Sequence, residues 1–148
     1  MPKVFVHGNP ENSTLWTVLF DELTARGVKD LIALSPPGFG TPVPEGFEAT
    51  RMGYQSWLIA ELERLGGNVD LVGHDSLHVY GVLAVRPDLI RSWAADAAGT
   101  LAMCESTADV LGADVFYLEG LGHWWMFAGA PAAAEALVTH WERGSDAD

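Results

Sequence analysis

Residues Val69–Gly81 read VDLVGHDSLHVYG. The apolar run Val69–Val72 has the length and composition of a buried strand. It stops at Gly73, and a helical pattern starts within a few residues of Asp75 and ends near Arg86, just before Pro87. A strand passing so abruptly into a helix makes a sharp turn that pushes one side chain out at the carboxyl edge of a sheet. Gly73, two residues earlier, relieves the crowding of that backbone, and Asp75 is the side chain that projects. An aspartate after a strand also suits a helix N-cap, so the turn admits both roles.

Outward from this turn, apolar runs and helical patterns alternate. Lys3–His7 (KVFVH), Asp30–Leu34 (DLIAL), Ile90–Ala95 (IRSWAA) and Val115–Leu118 (VFYL) are the other expected strands. Leu15, Leu19 and Leu23 mark a first helix, with Asn12 or Ser13 as its N-cap and Gly27 as its stop. Further helices are expected over Tyr54–Leu65, His78–Arg86, Met103–Leu111 and Pro131–Trp141, the last with proline in its first turn. The prolines and glycines of Pro36–Pro42 make a loop. Strict alternation predicts an α/β fold, a three-layer sandwich around a five-stranded parallel sheet. No repeat or linker divides the chain, so residues 1–148 are expected to form a single domain.

Composition narrows the function. The chain is 49% hydrophobic and 19% charged, as a globular core requires. A net charge of −12 opposes nucleic acid. No apolar stretch approaches the roughly 20 residues of a membrane span. The N-terminus MPKVFVHG enters a strand directly, from which a cytoplasmic protein is expected. Cys104 is the single cysteine, which excludes an internal disulfide. The five histidines do not recur at metal-ligand spacings, so neither metal nor cofactor is expected.

Four segments, in chain order, resemble the epoxide hydrolase and haloalkane dehalogenase branch of the α/β-hydrolase superfamily. Phe5-Val6-His7-Gly8-Asn9-Pro10 resembles its HGxP oxyanion loop, and Leu34–Gly40 (LSPPGFG) its D-x-x-G-x-G loop. Gly73-His74-Asp75 resembles its nucleophile elbow, and Gly120-Leu121-Gly122-His123-Trp124 its histidine loop. The resemblance implies strand order 2-1-3-4-5 and a hydrolase that forms a covalent aspartyl ester with a small epoxide, alkyl halide or ester. It makes Asp75 the nucleophile and His123 the general base, with the backbone N–H groups of Asn9 and Ser76 as the oxyanion hole. His7 and His74 then shape the loops.

The chain departs from that branch in three places. Its elbow continues Asp75-Ser76-Leu77-His78 where the branch typically has D-W-G-G. The strand Ile90–Ala95 is followed almost at once by a helix, leaving no room for the helical cap domain. The strand and loop that carry the usual triad acid are missing, which leaves Asp96 as the candidate acid. The resemblance therefore implies a capless, reduced core, and a catalytically inactive scaffold, natural or engineered, stands as the alternative. Two further readings are an anion or flavin phosphate site at Asn9–Thr14 and a serine esterase using Ser76. Trp16, Phe39, Trp124, Trp125 and Phe127 lie on or beside loops that a cap would cover. A homo-oligomer is expected, through that apolar mouth or through a domain-swapped dimer hinged at Gly99-Thr100.

Overall fold

Side chains of a strand alternate between its two faces. On Lys3–Val6 (β1), Val4 and Val6 enter one apolar cluster and Phe5 another. The computed structural model describes residues 1–75, 77–96 and 101–145. After β1, a 3₁₀ turn at Ser13–Trp16 runs into Thr17–Ala25 (α1), followed by Leu31–Leu34 (β2), Arg51–Arg64 (α2) and Val69–Gly73 (β3). Leu77–Val85 (α3), a 3₁₀ turn at Pro87–Leu89 and Ile90–Ala95 (β4) come next, then Leu101–Leu111 (α4), Trp125–Ala128 (α5) and Ala130–Ser145 (α6). Asn12 caps the first turn, its side chain accepting from the Thr14 N–H.

The sheet is wholly parallel in the order β2-β1-β3-β4. One face carries Phe5 and Val72 against Leu19 and Leu23 of α1 and Ala133, Ala134 and Leu137 of α6. The other carries Val4, Val6, Val69 and Leu71 against Leu58 and Leu62 of α2 and Val79 and Val82 of α3. A buried leucine of this kind contributes about 1.5–3 kcal/mol relative to exposure. Buried Gln55 on α2 donates to the Gly81 carbonyl on α3 at 3.0 Å, and a Cβ at Gly81 would stand 2.9 Å from the Gln55 Oε1, so a larger residue there would displace this side chain. Among the described residues no helix is long and apolar enough to cross a membrane.

Four strands form where five were expected. Val115–Leu118 carries no strand, and β4 is the edge of the sheet among the described residues. The VFYL run has β-propensity, but that preference is realised only beside a pairing partner. Instead Tyr117 Oη donates to Glu105 of α4, and Phe116–Leu118 shares a shallow depression with Ala132, Glu135, Ala136 and Thr139 of α6. Phe116 and Tyr117 are exposed side by side, so the alternating burial of a strand is absent.

At the amino end of the sheet, the fully buried Asp70 carboxylate binds three neighbours. Arg91 Nη2 lies 2.6 and 2.7 Å from its two oxygens, Ser92 Oγ donates at 2.6 Å, and Lys3 Nζ stands at 3.7 Å. These groups open β1, β3 and β4. At the carboxyl end, Val6 pairs with Gly73 and Gly73 with Ala95. The loops after these three strands therefore start at one level, which brings His7, His74 and Asp96 together.

Candidate active site

The turn after β3 is built by close approach. Asp75 has φ 46°, in the left-handed region that a non-glycine residue rarely adopts. Gly8, in the loop after β1, lies so near that a Cβ there would meet the Asp75 Cβ at 2.9 Å and the His74 carbonyl at 3.0 Å. The His74 N–H donates to the Val6 carbonyl at 3.0 Å, extending the β1–β3 ladder into the turn. The oxyanion-type loop and the elbow are thus held against each other through backbone.

His7 is fully buried and structural in its bonding. Its Nδ1 lies 2.7 Å from the Gly8 carbonyl, which makes it the donor, and Nε2 then accepts from Ser35 Oγ at 3.1 Å. Ser35 in turn accepts the Ser13 N–H at 2.9 Å. Burial lowers the His7 pKa, outweighing the opposing pull of the Gly8 carbonyl and Glu11.

Asp96 is the hub of the site. Its Oδ2 accepts from His74 Nδ1 at 2.5 Å and from Trp125 Nε1 at 2.7 Å, and its Oδ1 accepts the Asp75 N–H at 2.5 Å. Its own N–H donates to the Gly73 carbonyl at 3.2 Å. Burial opposes the Asp96 charge, but the His74 bond, followed by those from Trp125 and the Asp75 N–H, holds its pKa below the ordinary carboxylate value. Burial likewise opposes the His74 charge, and the Asp96 bond, with the charges of Glu11 and Asp75, raises its pKa overall.

The expected triad used Asp96 to orient His123. Among the described residues no hydrogen bond or ion pair joins the two, because the Asp96 oxygens are engaged by His74, Trp125 and the elbow N–H. The carboxylate that faces His123 is Glu11, whose Oε1 lies 3.8 Å from His123 Nε2. His123 is half-exposed on the loop before α5, and its ring centroid stands 4.6 Å from that of His74. Ser76, the second expected oxyanion donor, lies outside the described residues, as does Gly99-Thr100. Asn9 is exposed in the loop beside the elbow.

Glu11 was missed because nothing local in Asn9-Pro10-Glu11-Asn12 distinguishes it from a solvated loop residue. Its side chain is only 9% exposed; Oε1 accepts from Trp124 Nε1 at 3.1 Å and stands 3.9 Å from His74 Nε2. Among the described residues neither Glu11 Oε2 nor His74 Nε2 has a hydrogen-bond partner, although both are buried. Leaving such atoms unpaired costs about 1–3 kcal/mol each. One donor atom each from Glu11, His74 and His123 falls within 4.8 Å of the others, so the chain gathers three metal-type ligands that sequence spacing did not show. The same carboxylate counts against a phosphate site at Asn9–Thr14, since it sets a negative charge in that loop.

A parallel sheet carrying a strained acidic turn at its carboxyl edge, opposite a glycine loop and a histidine loop, defines the class. The chain belongs to the α/β hydrolase family, whose model matches residues 4–104. Its structure is similar to a haloalkane dehalogenase, the DbeA-M1 loop variant from Bradyrhizobium elkanii, with TM-score 0.56 and 20% identity over 75% of this chain and 42% of that one. It is also similar to the epoxide hydrolase VrEH1 from Vigna radiata, with TM-score 0.53 and 23% identity over 76% of this chain and 41% of that one. VrEH2 gives TM-score 0.57 and 23% identity, over 76% and 39%. At these identities the likeness is one of fold, and the chain spans about two fifths of the length of those proteins. No curated protein matches it.

Proposed function

We propose that residues 1–148 form a single minimal hydrolase domain that acts through a covalent aspartyl ester on a small epoxide, alkyl halide or ester. The observation that carries this reading is the left-handed Asp75 backbone pressed against Gly8, since such strain at a strand end serves to present a nucleophile. An Asp75 oxygen attacks the electrophilic carbon and the bond to the leaving atom breaks with its electron pair: a halide departs from an alkyl halide, a carboxylate departs from an ester attacked at its alkyl carbon, and the oxygen of an opened epoxide stays on the alkyl group as an alkoxide that solvent protonates. His123 takes a proton from water, which adds to the ester carbonyl. The resulting oxyanion, held by the Asn9 and Ser76 N–H groups, collapses to release the alcohol and restore the carboxylate. Glu11 steadies the charge gained by His123, and Asp96 acts as a positioning residue that fixes the elbow through its bonds to His74 and the Asp75 N–H.

Intact-mass measurement after incubation with activated epoxides, alkyl halides and aryl esters tests this. The expected result is an adduct on Asp75 that is absent in Asp75→Asn and accumulates in His123→Gln, where attack survives and hydrolysis stalls. Undiminished turnover in Asp75→Asn would overturn the aspartyl mechanism. A second reading, a silent reduced core, is favoured by one observation: His123 Nε2 faces Glu11, and Asp96 is committed elsewhere. Absence of any adduct would select it.

A further inference from the structure

We propose that Glu11, His74 and His123 form a binding site for a divalent transition-metal ion, zinc foremost. The inference does not depend on Asp75 reacting with anything, and an ion bound at His123 Nε2 excludes that nitrogen from acting as the general base. Two imidazoles and one carboxylate are a zinc ligand set that leaves a coordination position open. Three independent features point to the ion. The first is convergence: the donor atoms come from the loops after β1 and β3 and before α5, yet lie within 4.8 Å of one another. Ligands held about 2.0–2.1 Å from a tetrahedral zinc stand roughly 3.3–3.4 Å apart. Glu11 Oε1, which also accepts from Trp124, stands 3.8 and 3.9 Å from His123 and His74 Nε2, and the three donors lie within 4.8 Å, so closing the site takes a shift of the half-exposed His123 loop toward buried His74 and Glu11.

The second feature is a pair of buried polar atoms without partners. His74 is fully buried and, among the described residues, has no hydrogen-bond partner on Nε2, and buried Glu11 has none on Oε2. Buried polar atoms are nearly always paired, by protein, ordered water or an ion, and two left open in one place are where a shared ligand fits. The third is the outer support. Asp96 accepts a hydrogen bond from His74 Nδ1, so the neutral ring faces Glu11 with the Nε2 lone pair, and an ion binding there displaces the Nε2 proton of the charged ring. This carboxylate–histidine arrangement is the one that orients imidazole for metals. Trp124 Nε1 holds Glu11 Oε1 in the same manner.

The test is titration of the chelator-stripped full chain with Zn²⁺ or Co²⁺, read by calorimetry, melting temperature and the visible ligand-field absorption of cobalt. The expected result is one ion per chain. Glu11→Gln and His123→Gln, both at loop positions, should abolish the cobalt spectrum or weaken binding by more than tenfold. Asp96→Asn should weaken it by about 10–100-fold, the usual effect of losing an outer-shell partner. His140→Gln, on α6, should bind as the parent chain does, and Asp75→Asn should still take up one ion per chain, so a failure of the aspartyl mechanism stays separate from a failure of this site. Binding well below one equivalent, or equal affinity in the parent, Glu11→Gln and His123→Gln chains, would overturn the proposal.

Discussion

Replacing Gly8 with alanine adds a methyl group where there is no room for one. Its Cβ would stand 2.9 Å from the Asp75 Cβ, 3.0 Å from the His74 carbonyl oxygen and 3.1 Å from that of Asp75. Two of the three neighbours are backbone, and the third sits on a residue whose φ of 46° leaves it little freedom. Gly8 itself lies outside the left-handed region, so the alanine brings no backbone strain and the whole effect is overpacking. Such insertions cost about 1–3 kcal/mol. With an unfolding entropy of about 2.1 cal/mol/K per residue over 148 residues, that lowers the melting temperature by about 3–10 °C. Gly122→Ala is the matched control. It adds the same group beside His123 with nothing within 4 Å among the described residues, and should be neutral or stabilising by up to about 1 kcal/mol. If Asp75 forms esters, moving the elbow by about 1 Å should also slow adduct formation by about 100-fold. Thermal denaturation of both variants decides the matter. Equal melting temperatures would refute the close packing of loop and elbow.

Metal-free protein should show a pH-dependent contribution from the His74–Asp96 pair. Asp96, with its pKa lowered, contributes stability above its unfolded value of 3.8 that is lost on acidification through the folded value. His74, with its pKa raised, contributes stability that is full below 6.5 and lost as pH climbs through its folded value. The stability gap between parent and Asp96→Asn should therefore be widest between these limits and narrow on the alkaline side. A gap that stays constant in urea unfolding from about pH 5 to about pH 9 would exclude the pair as its source. Asp70→Ala should destabilise by about 3–5 kcal/mol, because it leaves Arg91 facing an emptied buried position; a loss below about 1 kcal/mol in the same assay would contradict this. Phe116, Tyr117, Trp124 and Phe127 are exposed, so the chain is expected to self-associate, and a strictly monomeric mass by light scattering across a dilution series would rule this out.

The elbow could be read from the sequence because its signal is local. A β-run, a glycine and an acidic residue at a helix start imply a sharp turn whatever surrounds them, and Asp75 has a left-handed φ. The first four strands were legible for the same reason. Val115–Leu118 was not, since VFYL pairs only if a neighbour is available, and Tyr117 and Leu118 found α4 and α6 instead. Nor was the partner of Asp96 legible. It follows from the Gly73–Ala95 register, which sets Asp96 beside His74 rather than beside His123. Glu11 needed the same through-space information, and no pattern in its own loop carried it.

The Asp70 cluster has a consequence for how the chain tolerates change. It ties β1, β3 and β4 together at their amino ends, whereas His74 lies four residues further along the chain, roughly 13 Å away at 3.3 Å per residue. Effects of substitutions more than about 7–10 Å apart, with no shared partner, generally add. Anchorage and chemistry are therefore separately editable. Randomising Asn9–Glu11 and Gly122–Trp124, with Gly8 kept, explores new reactivity while the anchor at the opposite pole keeps its strength, which makes this small sheet a suitable frame for directed evolution.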